Sequence, residues 1–398
     1  MTNQGNMRSN AVSVVVPTYN RAAFLAECLE SLLAQTVPPV RILVIDDGST
    51  DNTSEVVATF GDRVEYLRKE NGGKASALNL ALPMIDTEFV WFFDDDDVAH
   101  PWAIESHLSL LAAHSNLGFT FGFHDLGRTG ADGRIVVTTP PSPPPIFEAP
   151  LAQQRLNLMR FCAFMLTGCI IRTRLFEHGL RFRETLLRSQ DYAVLIELSQ
   201  LADFAFTGSR TYIFRQHEGA RGPASAVHAH ADKRRAWMKY DRMIGDLIVK
   251  QLPLERFQPE YSQHPGSAEH RAALIRRAWV LASKADVGQV VRDLKSATSV
   301  CSTEALSAED INFIETLPSH PYFLLALSDQ PHAFLPLLAL ANTPAGRATL
   351  GSLSKGFYRQ LKLEPTAAQG RVRAVVAACM LAFLPFAARS YRGGTSTR

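Results

Sequence analysis

Residues 89–97 read Phe89-Val90-Trp91-Phe92-Phe93-Asp94-Asp95-Asp96-Asp97, five apolar side chains running straight into four carboxylates. The apolar run has strand length and no polar alternation, so it predicts a strand buried on both faces. Its end delivers a block of negative charge to one point. Adjacent ionised carboxylates repel one another and resist desolvation, so a folded chain holds them together most readily around a cation. Short oxygen ligands suit a hard ion such as Mg²⁺ or Mn²⁺. The plainer alternative is a solvated acidic loop that merely follows a strand.

Upstream of this stretch, strands and helices alternate. Residues 12–16 (Val-Ser-Val-Val-Val) form a β-branched run closed by Pro17. Asn20 is the expected N-cap of a helix whose apolar positions Phe24, Leu25, Cys28, Leu29, Leu32 and Leu33 keep helical spacing. Residues 42–45 give a second strand ending in Asp46-Asp47-Gly48, and residues 64–67 a third, ahead of Gly72-Gly73-Lys74 and another helix. Such alternation predicts βαβ units and a mostly parallel, Rossmann-like α/β sheet flanked by helices. Ligands of these sheets sit beyond the carboxyl ends of the strands, where every distinctive polar motif here falls.

The dinucleotide fingerprint GxGxxG and the phosphate loop GxxxxGK[ST] are both absent. Gly73 and Lys74 offer a backbone N–H and a cation to an anion. Asp46 and Asp47 can accept hydrogen bonds from a base or ribose, and the acidic block can hold a metal that bridges two phosphates. Together these parts suit a nucleoside diphosphate bound with a divalent ion. Singly, each reads equally as a glycine turn before a helix or an Asp-Gly turn.

Taken together, Pro17-Thr18-Tyr19-Asn20-Arg21, the run from Asp46 to Asp51, the run from Asn71 to Asn79, and Asp94-Asp95-Asp96-Asp97 with Pro101 resemble the family 2 glycosyltransferases of GT-A fold, over roughly residues 11–217. The resemblance implies a nucleotide-sugar donor bound through Mg²⁺ or Mn²⁺ at the acidic motif. Asp94 and Asp96 match its two acids, with Asp96 as the direct metal ligand and Asp95 near the ribose. Pro17, Thr18 and Tyr19 match positions lining the base, Asp47 an acid that hydrogen-bonds it, and Lys74 a basic residue near the nucleotide; Arg21, Asp46 and Gly73 complete the donor set. Asp191, in Gln190-Asp191 ahead of a helix, matches the catalytic base, although its residue type alone reads as a charge complementing a helix dipole. His217, ending the strand of residues 212–217, matches a further metal ligand, or else is a surface histidine.

The implied activity is inverting transfer of a sugar, from a UDP-sugar by default, to an acceptor hydroxyl of a glycan or lipid-linked molecule, in surface polysaccharide or glycolipid synthesis. A sugar nucleotidyltransferase would carry a glycine- and arginine-rich loop after the first strand, which residues 17–21 are not. A non-catalytic sugar- or nucleotide-binding protein of the same fold is the other alternative.

The domain reading is a disordered stretch over residues 1–10, a GT-A domain over 11–227 (nucleotide half 11–100, acceptor half 101–227) and a helical domain over 228–398. Helices are expected over 233–249, 269–282 and 287–294, with a helix start at Ser307. The proline-dense residues 140–150 read as a stiff surface excursion. A length of 398 residues, 46% hydrophobic and 20% charged, describes an ordinary globular chain, and a net charge of +2 gives no basis for a nucleic-acid partner. Five cysteines without CxxC spacing and no apolar leader suggest a cytoplasmic setting. Residues 374–385, apolar and flanked by Arg371, Arg373 and Arg389, are a candidate for peripheral contact with the inner face of a membrane.

Overall fold

The computed structural model describes residues 8–138, 142–217, 233–258, 260, 267–363 and 377–379. Two compact units partition the chain: Met1–Leu158 with Cys162–Val227, and Met159–Phe161 with His228–Arg398. The expected boundary near residue 227 falls in 218–232, outside the described residues, as does most of the candidate membrane stretch 374–385.

The first unit runs β1 (Arg8–Thr18), α1 (Ala22–Leu33), β2 (Arg41–Asp46), α2 (Thr53–Ala58), β3 (Glu65–Arg68), α3 (Lys74–Ala81), β4 (Thr87–Phe92), β5 (Val98–Ala99), α4 (Ala103–Ala113), β6 (Leu117–Thr129), β7 (Ile135–Val137), α5 (Leu151–Arg160), β8 (Cys169–Arg172), α6 (Gln190–Leu201) and β9 (Asp203–Gln216). Because β1 already begins at Arg8, residues 8–10 are strand, against the expected disorder of 1–10. The described strands form one sheet in the order β3-β2-β1-β4-β8-β6-β9-β5, with β7 beside β6. Its first four strands are parallel, as their β-branched, doubly buried runs require. Beyond β4 the sheet is mixed: β8 is antiparallel to both β4 and β6, and β5 to β9.

The core sits where the opening stretch predicts. Phe89, Val90, Trp91, Phe92 and Phe93 are all at most 1% exposed; Phe89, Trp91 and Phe93 pack with Val14 and Val44 of the neighbouring strands and Leu25, Leu29 and Leu32 of α1, while Phe92 meets Phe176 and Phe182 on the other face. Each such side chain contributes about 1.5–3 kcal/mol by leaving water. The indole of Trp91 donates to the Thr167 carbonyl at 2.6 Å, so the one polar atom in this run is satisfied.

Two local expectations change. Asn20 does not cap α1. It lies at φ 52°, and its side-chain oxygen instead accepts from the Thr50 and Asp51 amides at 2.7 and 3.3 Å. The open amide of Ala22 is met by the Asp51 carboxylate at 3.2 Å, so the β2–α2 loop caps the helix after β1. The proline-dense segment is also no bland surface excursion. It carries Phe147, 5% exposed, whose ring packs edge-on against Phe121 at 4.9 Å.

In the second unit the described residues contain α7 (Lys233–Gln251), α8 (Ala268–Ala282), α9 (Val287–Val300), α10 (Ala308–Thr316), α11 (Pro321–Asp329) and α12 (Pro344–Leu363) and no strand. Ser307 and Asp310 form the reciprocal capping box that their spacing suggests. No single described helix is long and apolar enough to cross a membrane.

Candidate functional site

The chemistry-bearing residues gather at the carboxyl edge of β1, β2 and β4, where parallel strands leave loops free to converge. Sequence distance is erased there. Lys74 Nζ, at the start of α3, lies 2.5 Å from Asp94 Oδ1 and 2.7 Å from Asp191 Oδ2. One ammonium therefore joins the acidic block to the first turn of α6. Burial disfavours its charge, but the Asp191 and Asp94 carboxylates outweigh that and hold Lys74 protonated. Asp191 is shifted upward: burial is the main cause and Asp94 adds to it, with Lys74 opposing. Its Oδ1 is buried without a hydrogen-bond partner among the described residues.

The four acids have four different surroundings. Asp94 is half-buried and held by Lys74. Asp95, 7% exposed, is pushed up to about 7 by burial, against the pull of Arg21, with Asp96 adding repulsion. Asp96 Oδ2 accepts from the Arg21 guanidinium and lies 2.8 Å from His217 Nε2. Asp97 Oδ1 accepts the backbone N–H of Arg215 at 3.0 Å. Carboxylate oxygens of Asp94, Asp96 and Asp97 lie within 4.8 Å of one another. Three hard oxygen donors so close, with cationic nitrogens already resting on two of them, fit a divalent ion.

Beneath the block lies a residue that the sequence reading missed. Arg215 on β9 is fully buried; it donates to the Asp96 carbonyl at 2.8 Å and to Thr129 Oγ1 at 3.1 Å, and it pairs with the Glu27 carboxylate. Its guanidinium also lies over the Phe24 ring at 5.0 Å. The available signal was a charge at residue 215 directly after the apolar run Tyr212-Ile213-Phe214. Asp97, like Arg215, was outside the expected site set.

The residues expected on the donor side divide. Pro17 and Thr18 are buried at the end of β1, while Tyr19 is 45% exposed beyond it. Asp46 accepts the Ser49 amide at 2.8 Å and the Tyr66 hydroxyl. Asp47 is committed more fully: Lys69 Nζ at 2.8 Å, and the amides of Gly72 and Gly73 at 2.9 and 2.6 Å, all end on its carboxylate. The anion that the glycine amides hold is thus an internal one. Gly73 sits at φ 89°, where a side chain would be strained, so the turn that swings Lys74 toward Asp94 depends on that glycine.

Residues 13–166 match the model of glycosyl transferase family 2. An uncharacterized glycosyltransferase of Rickettsia felis is 29% identical over 210 residues, covering 51% of this chain and 34% of that protein. The chondroitin synthase of Pasteurella multocida is 40% identical over 97 residues, covering 24% of this chain and 10% of the synthase. The chain thus spans about a third or less of the length of these relatives. Among solved structures, S. aureus TarS 1-349 in complex with UDP-GlcNAc superimposes with a TM-score of 0.53 at 19% identity, over 98% of this chain and 93% of that one. At such identity the likeness establishes the fold, which is GT-A. Over residues 13–166, glycosyl transferase family 2 is the family this chain is similar to.

Proposed function

We propose that this chain transfers a sugar from a nucleotide diphosphate sugar, a UDP-sugar first, to an acceptor hydroxyl, with inversion at the anomeric carbon. The observation that carries this reading is the Lys74 bridge between Asp94 and Asp191, which brings a half-buried, upward-shifted carboxylate beside the acidic block. Residues Pro17, Thr18, Tyr19, Arg21, Asp46, Asp47, Gly73, Lys74, Asp94 and Asp95 form the donor side. Asp96 would hold Mg²⁺ or Mn²⁺, with His217 and Asp94 beside it; such an ion supplies Lewis-acid neutralisation of a departing diphosphate.

Asp191 acts as general base. Its burial raises proton affinity toward the range useful for abstracting a hydroxyl proton, and general-base help of this kind is worth on the order of 10²–10⁴-fold. A single displacement needs one carboxylate at the acceptor face, which accounts for inversion. Lys74 keeps Asp191 oriented before substrate arrives. The acceptor we propose is a glycan or a lipid-linked molecule in a polysaccharide or glycolipid route. The UDP-GlcNAc bound by the TarS structure supports trying uridine donors first.

The test is product identity. A panel of nucleotide sugars is incubated with the chain in Mn²⁺ or in EDTA, and released nucleotide is measured. The reading expects nucleoside diphosphate in Mn²⁺ and little in EDTA. Pyrophosphate release from a nucleoside triphosphate supplied with a sugar 1-phosphate, with no diphosphate released from any nucleotide sugar, would refute it in favour of a nucleotidyltransferase.

A further inference from the structure

In the first unit one cationic nitrogen has an environment that a guanidinium rarely finds. Arg21 Nη1 donates to Asp96 Oδ2, lies 3.7 Å from Asp95 Oδ1, and 3.5 Å from His217 Nε2. His217 Nε2 is itself 2.8 Å from that same Asp96 oxygen. Two carboxylate oxygens and an imidazole nitrogen thus converge on a single positive centre, a donor set that suits a divalent cation as well as a guanidinium. The Arg21 side chain is only 18% exposed and Asp96 9%, so this contact is no surface ion pair.

The position of Arg21 makes movement feasible. It flanks the N-terminus of α1 in the loop after β1, beside Asn20 at φ 52° and exposed Tyr19, not within an element. By contrast Arg215, the other guanidinium at the block, is fully buried on β9 and anchored at Glu27, Thr129 and the Asp96 carbonyl. One arginine is built in; the other has its backbone at the start of α1, where its carbonyl accepts the Phe24 amide at 3.0 Å, and only its side chain reaches the acids, so a rotamer change withdraws it.

Resting on the metal-dependent reading above, we propose that Arg21 is a resident counter-ion that holds the place of the divalent cation on Asp96 and His217, and vacates it when the ion binds. Arg21 thereby stabilises the metal-free chain and lowers its apparent metal affinity, because only the fraction with Arg21 withdrawn is competent to bind. Once withdrawn, the guanidinium is released at the donor side of the site, where it can meet a diphosphate in the bidentate manner that suits arginine.

The experiment is calorimetric titration of Mn²⁺ into the full chain without nucleotide, for wild type, Arg21→Gln and Arg21→Lys, beside thermal unfolding in EDTA and in Mn²⁺. Arg21→Gln should bind Mn²⁺ at least about tenfold more tightly than wild type. Its melting point in EDTA should fall by about 5 °C or more and recover with Mn²⁺. Arg21→Lys keeps a cation over the block and should bind Mn²⁺ no more tightly than wild type. Unchanged or weaker Mn²⁺ affinity in Arg21→Gln overturns the proposal, as does equal tightening in both variants. If Arg21→Gln folds only with Mn²⁺, the counter-ion role stands on that dependence. Absence of Mn²⁺ binding in wild type and both variants would sink the metal reading itself, a result distinct from bound metal indifferent to residue 21.

Discussion

Replacing Arg215 by Met should destabilise the first unit far more than an ordinary buried substitution. The guanidinium is fully buried and pairs with Glu27, whose side chain is 17% exposed. Methionine fills a similar volume but leaves the Glu27 carboxylate facing a site without its cation, and breaking a buried pair in this way costs about 3–5 kcal/mol. The lost donors to the Asp96 carbonyl and Thr129 fall within that figure at about 1 kcal/mol each. With about 2–4 °C per kcal/mol for a unit of this size, the melting point should drop by about 6–20 °C. Urea unfolding in EDTA, followed by tryptophan fluorescence, measures the free energy directly. Adding Glu27→Gln to Arg215→Met removes the stranded charge and should return about half of the loss, a non-additivity that independent sites do not show. A loss below about 1 kcal/mol, or no recovery in the double variant, would refute the view of Arg215 as the electrostatic floor of the acidic block.

Three further outcomes are expected. Asp191→Asn should lower turnover by about 10²–10⁴-fold while donor affinity, read by calorimetry, stays near that of wild type. Asp96→Ala should weaken Mn²⁺-dependent donor binding by at least about tenfold, and an unchanged dissociation constant would reject Asp96 as a ligand. His107, fully buried with Nδ1 2.8 Å from Thr120 Oγ1, is lowered by burial to about 3. The unfolded chain takes up this proton near pH 6.5 and the folded chain does not, so stability is present above pH 6.5 and lost as pH falls through 6 to 4. By pH 4 the loss is about 3 kcal/mol, and His107→Leu should flatten this part of the urea-derived stability profile.

Most of residues 11–100 was legible because its signals are local. The doubly buried run 89–93, the β-branched runs of β1 and β2 and the glycine turn before α3 each announce a strand or loop without reference to the rest of the chain. What was not legible depends on partners brought in by folding. Asn20 looks like a helix cap until Asp51 arrives from the next loop to do that work. Asp47 looks like a ligand group until Lys69 and the glycine amides close on it. Strand β9 begins at Asp203, well before the expected strand of residues 212–217, because the polar and glycine positions along it are carried by pairing with β6 through irregular register. Arg215 shows the same limit from the other side: a charge in a strand is conspicuous, but only the fold reveals that Glu27 and the Asp96 backbone await it.

The central claim is that the acids at the edge of β4 and the residues around them form one nucleotide-sugar pocket that needs a divalent ion. Calorimetric titration of UDP-sugars into the unaltered chain, once with Mn²⁺ and once with EDTA, tests it most directly. Saturable heat in Mn²⁺ that disappears in EDTA is the predicted result. Equal binding in both conditions, or binding to none of the nucleotide sugars in either, would contradict it.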